Sequence, residues 1–220
     1  MKLEDRQTTY PIDQMKNKKT QYITNDHIIR IALMKELNLK HAKDHTVRII
    51  EELGVNHGNA RVDIAVVNGV MHGYEIKSDA DTLYRLPEQI NAYSAVFDRI
   101  TIVVGFTHIY QVIDMIPNWW GITVAKNDSN NNIVLNPVRL PEKNTQQDST
   151  SVARLLWKEE ALDILTEYNA ASGLRSKPRN VVYQKLASIM DKDSLEDRVR
   201  ETLFTRQGWR SACPTILNGG

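Results

Sequence analysis

Cysteine is nearly missing from this chain. A single one, Cys213, stands in 220 residues, so no internal disulfide can form and the composition suits a reducing cytosol. CxxC, HExxH, GxSxG and Walker-type glycine patterns are all absent, which leaves zinc-site, serine-hydrolase and ATP-motor chemistry without their residues. No apolar run reaches the roughly 18 residues of a membrane helix, and the charged N-terminus carries no signal-peptide pattern. A soluble, cytoplasmic protein is the expectation. Charge of one sign is lacking too: 28 Lys and Arg against 27 Asp and Glu give a formal net charge of +1, so any contact with nucleic acid must come from local patches. No internal repeat is present. The length allows one good core, or one core with a small appendage.

What the chain does have is a stretch over 60–93, ARVDIAVVNGVMHGYEIKSDADTLYRLPEQINAY. Residues 61–67 are apolar and β-branched, Asn68-Gly69 is the dipeptide that best closes a two-residue hairpin, and 70–77 return as a second strand. Asp63 and Glu75 therefore fall on neighbouring strands. Side chains alternate along a strand, so Glu75 and Lys77 share one face and Ile76 takes the other. Two carboxylates about 4 Å apart repel by roughly 4 kcal/mol at an effective dielectric of about 20. One lysine offsets this only in part, and a hard divalent cation that takes oxygen ligands would resolve it.

Asp63 followed by Glu75-Ile76-Lys77 resembles the D…(D/E)xK signature of the PD-(D/E)xK nuclease superfamily. The longer run RVDIAVVNG…HGYEIKSDADTLYRLPEQINAYSAVFDRITIVVG is similar to its bacterial and phage branch called the sce7726 family, and Gln89 with Tyr93 matches the QxxxY motif of RecB-like and Cas4-like members. Val62 stands where the superfamily name has Pro. The resemblance runs from about Thr24 to Arg210, taking in LLWKEE and Gln207-Gly208-Trp209-Arg210. It implies an α/β fold with a restriction-endonuclease-like core, a mixed central sheet flanked by helices. It further implies a Mg²⁺ or Mn²⁺ ion held by Asp63, Glu75 and the main-chain carbonyl of Ile76, with DNA as substrate. Enzymes of this fold often dimerise, which leaves a homo-oligomer open.

The remaining elements read as follows. Residues 1–23, with Lys16, Lys18 and Lys19, look like a flexible arm. A capping signal at 24–26 precedes a helix through Leu37 that should pack on the sheet. Asp44 caps a second expected helix through Val47, Ile49, Ile50 and Leu53, ended by Gly54. Glu51 and Glu52 lie on it; the superfamily pattern, in which such a helix lends a glutamate to the site, favours Glu52. His57 sits in a polar loop. Pro87 sets the start of the next helix near Leu86, and Gln89 and Tyr93, four apart, share one of its faces. The resemblance implies that Gln89 contacts the lysine or a substrate phosphate and that Tyr93 positions the substrate backbone. Arg85 is a candidate phosphate contact, with Ser78, Asp79 and Asp81 as weaker polar candidates near the metal. Residues 99–104 are a continuous apolar strand suited to a central position. A helical stretch over 107–116 precedes strands at 119–124 and 133–135, with the tryptophans as packing residues. Residues 139–150 are polar and aperiodic, a linker. Beyond it, 151–220 form a helical region with expected helices over 151–168, 180–190 and 194–206. Its basic loop is loosely similar to SAP-type DNA-binding modules, with Arg175, Lys177, Arg179 and Lys185 as phosphate contacts.

The expected function is hydrolysis of DNA phosphodiester bonds by a magnesium- or manganese-dependent nuclease, with Asp63, Glu75, Lys77, Glu52, Gln89 and Tyr93 as its catalytic set. The alternatives are a catalytically inactive nuclease-fold protein that binds DNA or serves an assembly, and an RNA-directed nuclease.

Overall fold

Asn25 starts the first element because its side-chain oxygen accepts the Ile28 N–H at 3.1 Å, and the apolar stripe of Ile29, Leu33 and Leu37 then buries one side of helix α1 (Asp26–His41). The computed structural model describes residues 23–208. Almost all of the expected N-terminal arm, Cys213, Trp209 and Arg210 lie outside the described residues. After α1 come β1 (Arg48–Val55), β2 (Ala60–Val67), β3 (Met71–Lys77), α2 (Leu86–Ser94), β4 (Arg99–Gly105), α3 (Ile109–Met115), β5 (Gly121–Asn127) and β6 (Ile133–Arg139). Four further helices follow: α4 (Ser149–Ala153), α5 (Lys158–Glu167), α6 (Arg179–Ile189) and α7 (Lys192–Thr205). The strands form one six-stranded mixed sheet in sequence order. β3, β4 and β5 run parallel, and β1, β2 and β6 pair antiparallel with their neighbours. This is the expected α/β class, a mixed sheet flanked by helices and followed by a helical region.

One expected element is of another type. The segment from Asp44 to Leu53 is no helix. It turns through Thr46 and then forms β1, paired along its length with β2 from Arg48↔Val67 to Val55↔Ala60. Val47, Ile49 and Ile50 are β-branched, and apolar residues at these spacings satisfy a half-buried strand as well as a helix; the free partner edge of β2 decides between them. Two smaller shifts accompany it. The β2–β3 connection takes three residues, 68–70, with Gly69 at φ +84°. The stretch 151–168 splits into α4 and α5 at an extended Trp157, whose N–H is accepted by Glu160 Oε2 at 2.6 Å.

α1 covers one sheet face through Ile64, Val66, Tyr74, Ile76 and Val103. α2 and the C-terminal helices cover the other, where Tyr93, Phe97, Ile102, Val104 and Trp120 join Val152, Leu162, Val182, Leu186, Val199 and Leu203 in one continuous core. Both tryptophans pack rather than stack on solvent, Trp120 being fully buried. The expected linker is a bound strap. Asn144 Nδ2 donates to the carbonyls of Ser94 (2.7 Å) and Phe97 (3.0 Å), and the N–H groups of Glu142, Asn144 and Asp148 donate to those of Trp119, Asp98 and Ala95.

Asp79 ties the N-terminus of α1 to the turn after β4: its carboxylate accepts from the N–H and hydroxyl of both Thr24 and Thr107. A Cβ on Gly105 would lie 2.5 Å from the Asp79 backbone nitrogen. Gly105→Ala is therefore expected to lower stability by about 1–3 kcal/mol, read as a shift in urea midpoint; an unchanged midpoint would contradict this packing.

Candidate active site

The β2–β3 ladder closes at Ile64↔Tyr74, while β3 continues beside β4 to Lys77↔Val104. The two strands thus fork, and the side chains just past the last pair line the opening. By register Asp63 stands opposite Glu75, and on its other side opposite Glu52, the residue between the Glu51↔Ile64 and Leu53↔Val62 pairs. Glu52 leaves the ladder with φ +56°. Asp63 Oδ2 accepts the Ile76 N–H at 2.7 Å in place of a ladder partner, which holds the fork open.

Glu75, Lys77 and Gln89 are buried and converge. Lys77 Nζ pairs with Glu75 Oε1, Gln89 Nε2 donates to the same oxygen at 2.6 Å, and the Tyr93 hydroxyl lies 2.9 Å from Oε2 and 2.6 Å from the Arg61 carbonyl. α2 supplies Gln89 and Tyr93 from one face, as their spacing requires. Tyr93 has no exposed surface, so its hydroxyl braces Glu75 and does not meet a bound strand. Asp63, Glu75, Ile76, Lys77, Glu52, Gln89 and Arg85 all line one cleft of about 480 Å³, together with Asp26, Arg61, Asp81 and Glu88. Of the weaker candidates, Asp81 caps the Ser78 N–H and hydroxyl at the cleft edge, and Asp79 is turned to Thr24 and Thr107. Arg175, Lys177, Arg179 and Lys185 are exposed on and before α6, away from this lining, with Arg175 3.9 Å from Glu159.

Arg30 is the residue that sequence reasoning missed. Reaching over from α1, it pairs with Asp63 Oδ1 at 2.6 Å, Glu52 at 3.1 Å and Asp26 at 3.2 Å, and donates to the Asp63 carbonyl. Its signal was a cation inside the otherwise apolar run HIIRIALM, though nothing in the order of residues says which acid it meets 33 positions later. Burial alone would lower its pKa; the hydrogen bond to Asp26 and the charge of Asp63 outweigh that and raise it.

Burial pushes the Asp63 carboxyl up against the opposing pull of the Ile76 amide and Arg30. Glu75 is pushed up to about 7, first by burial and then by the charge of Asp63, with Lys77 and Tyr93 opposing. A carboxyl whose folded pKa exceeds its unfolded value stabilises the fold fully below the unfolded value and loses that contribution as pH rises through the folded one. In metal-free buffer, stability should therefore fall between about pH 4.5 and 7, and Glu75→Gln should flatten that slope. Thermal melts across the range test this, and an identical slope in the variant would refute it.

Do these residues suit a divalent ion? The donors are oxygens, each Asp63 oxygen keeps a lone pair beyond its single protein donor, and Gln89 Oε1 is buried without a partner beside Glu75. Among the described residues no three His, Cys, Asp or Glu side chains form a ready metal group. The oxygen donors at this opening are of the kind that a partly hydrated Mg²⁺ or Mn²⁺ takes.

The family described as "Bacteriophage P4 protein cII" matches residues 19–213, nearly the whole chain. This chain belongs to the phage P4 cII family. One relative, protein cII of Enterobacteria phage P4, is 27% identical over 177 residues, covering 80% of this chain and 64% of that protein. The cII-family chain thus spans about 64% of the length of the curated relative it matches. A solved structure of a Silicibacter pomeroyi protein of unknown function is 19% identical and covers 63% of this cII-family chain and 90% of its own, with a TM-score of 0.36, too loose to bear on the fold. Neither description names an activity. Among the described residues no helix is long and apolar enough to cross a membrane.

Proposed function

We propose that this chain is a Mg²⁺- or Mn²⁺-dependent nuclease of the PD-(D/E)xK type that hydrolyses DNA phosphodiester bonds. The observation that carries the reading is the buried Glu75–Lys77 pair, braced by Gln89 and Tyr93, opening beside Asp63 into one polar cleft. A solvated strand end would leave these groups in water. Here they are buried and hydrogen-bonded to one another at the wall of a cleft, which supports a ligand-facing role.

Asp63 and Glu75 would hold the ion, with the Ile76 carbonyl and Glu52 at hand. When bound, the ion supplies charge for the scissile phosphate and a lowered pKa for water. Lys77, presented at the cleft with its ammonium on Glu75, is placed to donate to the phosphate or to orient the attacking water. Gln89 and Tyr93 fix Glu75, and through it Lys77, so little reorganisation is needed as charge develops. Arg85, exposed on the cleft rim, is placed to steady a neighbouring phosphate.

The test is a cleavage panel over linear, circular and nicked DNA, and over single-stranded DNA and RNA, with Mg²⁺, Mn²⁺ or chelator. Metal-dependent loss of DNA is the expected outcome. Cutting of RNA alone would select the RNA-directed reading. A second reading, a non-catalytic nuclease-fold protein that binds DNA or serves an assembly, draws on Arg30, whose guanidinium already neutralises Asp63 and Glu52. Calorimetry with Mn²⁺ separates the two: binding that disappears in Asp63→Asn favours the nuclease, and no binding in wild type favours the alternative.

A further inference from the structure

Beside the first cleft lies a second of about 340 Å³, lined by Val55, Asn56, Asn91, Ser151 and Arg154 among others. Glu88 lines both. The turn Asn56–Gly58 stands between them, with Asn56 on the second cleft and Gly58 on the first, so the two adjoin around this turn and a strand following both would bend there. Its far end is basic. Arg154, just after α4, donates from Nη2 to Asn180 Oδ1 at 2.9 Å, which brings the start of α6 against it, and its Nε is buried without a partner. The His57 ring lies 5.3 Å from that of Tyr183. Tyr183 is one helical turn from Arg179 on the same face of α6, so Arg179 flanks His57. Burial, and then the charges of Arg179 and Arg154, hold the His57 pKa below its usual value. Among the described residues neither arginine is ion-paired to an acidic side chain. Glu88 is the one acidic side chain lining the second cleft, and cations left without an ion-pair partner repel one another, so a polyanion laid across them relieves that repulsion while releasing its own counterions.

We infer that Arg154, Arg179 and the Asn56–Gly58 turn form a second binding site that takes consecutive phosphodiester groups of the nucleic-acid strand whose scissile bond occupies the first cleft. The assignment rests on the nuclease reading for what fills the first cleft. It gives the strand a path: in beside Arg85, across Asp63 and Lys77, round the His57 turn and out over Arg154 to α6. Arg85 and Arg179 were separate candidates in the sequence, and this groove joins them through Arg154 and His57.

The experiment is fluorescence anisotropy of a labelled single-stranded oligodeoxynucleotide with the full chain in chelator, where cleavage cannot occur. Arg154→Gln/Arg179→Gln should weaken binding at least tenfold at low salt. It should also reduce the slope of log K against log salt by roughly 1.4, since each phosphate contact on a single strand contributes about 0.7. Arg179→Gln alone, an exposed change that spares the fold, should weaken binding and give about half of that reduction in slope. Wild-type affinity and slope in both variants would overturn the site. If wild type cuts no DNA yet the variants lose binding, the nuclease reading fails and this site stands. If wild type cuts DNA and the variants bind normally, the site fails and the nuclease reading stands.

Discussion

With Mg²⁺ or Mn²⁺ present, Lys77→Met protein is expected to cut DNA about 10²–10³ times more slowly than wild type while keeping its fold. The methionine fills the volume of the lysine stem. Glu75, left in a buried site with Gln89 Nε2 and the Tyr93 hydroxyl beside it, responds by holding its proton, because burial and Asp63 already favour the acid. On the proposed mechanism the lost term is the positioned ammonium, which would act on charge that exists only as the ester breaks. Asp63→Asn should show a comparable loss with weakened Mn²⁺ binding, since the neutral amide keeps the shape but surrenders the charge. Initial rates on one linear substrate, paired with circular dichroism, check both. A folded Lys77→Met protein that cuts at the wild-type rate would remove Lys77 from the mechanism and with it the proposed chemistry.

The second large effect concerns the frame. Asp98→Ala is expected to cost about 3–5 kcal/mol of unfolding free energy. Its carboxylate is almost fully buried and meets three separate parts of the chain: Oδ2 accepts the Met71 N–H at 2.6 Å at the start of β3, Oδ1 accepts from Gln147 in the strap at 2.9 Å, and Arg200 of α7 approaches to 3.5 Å. Truncation leaves the buried Met71 N–H without its acceptor and removes one acceptor from Gln147 and from Arg200, the latter still held by Asp197 and Glu196. Urea denaturation gives the figure directly, and a loss below about 1 kcal/mol would show that water replaces the carboxylate. Because Met71 opens the strand that carries Glu75 and Lys77, the same variant should also lower Mn²⁺ affinity if the frame sets the site.

Much of this was legible in the order of residues. The hairpin, the facing of Glu75 with Lys77, the Leu86 start of α2 and the central place of β4 each follow from a local rule: period two, proline at a helix start, or continuous hydrophobicity. β1 was not legible, because Val47, Ile49, Ile50 and Leu53 satisfy both periods and only a pairing partner settles the matter. Glu52 was singled out as a helical residue and arrives beside Asp63 from a strand. Arg30 was invisible for a similar reason. Its role depends on α1 crossing the fork, a tertiary relation that no spacing encodes. The polar strap misled in another way: RLPEKNTQQDST has no periodicity, yet its side chains and N–H groups satisfy carbonyls at the ends of α2 and β4.

That strap bears on how the protein is made. The sheet face opposite α1 is closed by residues between Val152 and Leu203, and a ribosome releases the chain from the other end at about 5–20 residues per second. Every strand therefore emerges before the helical part of that cover that follows β6. Until residues 152–203 have emerged, Trp120, Ile102 and Val104 lack part of their apolar cover, so slowing translation over that stretch or supplying chaperone there is expected to raise the yield of folded protein.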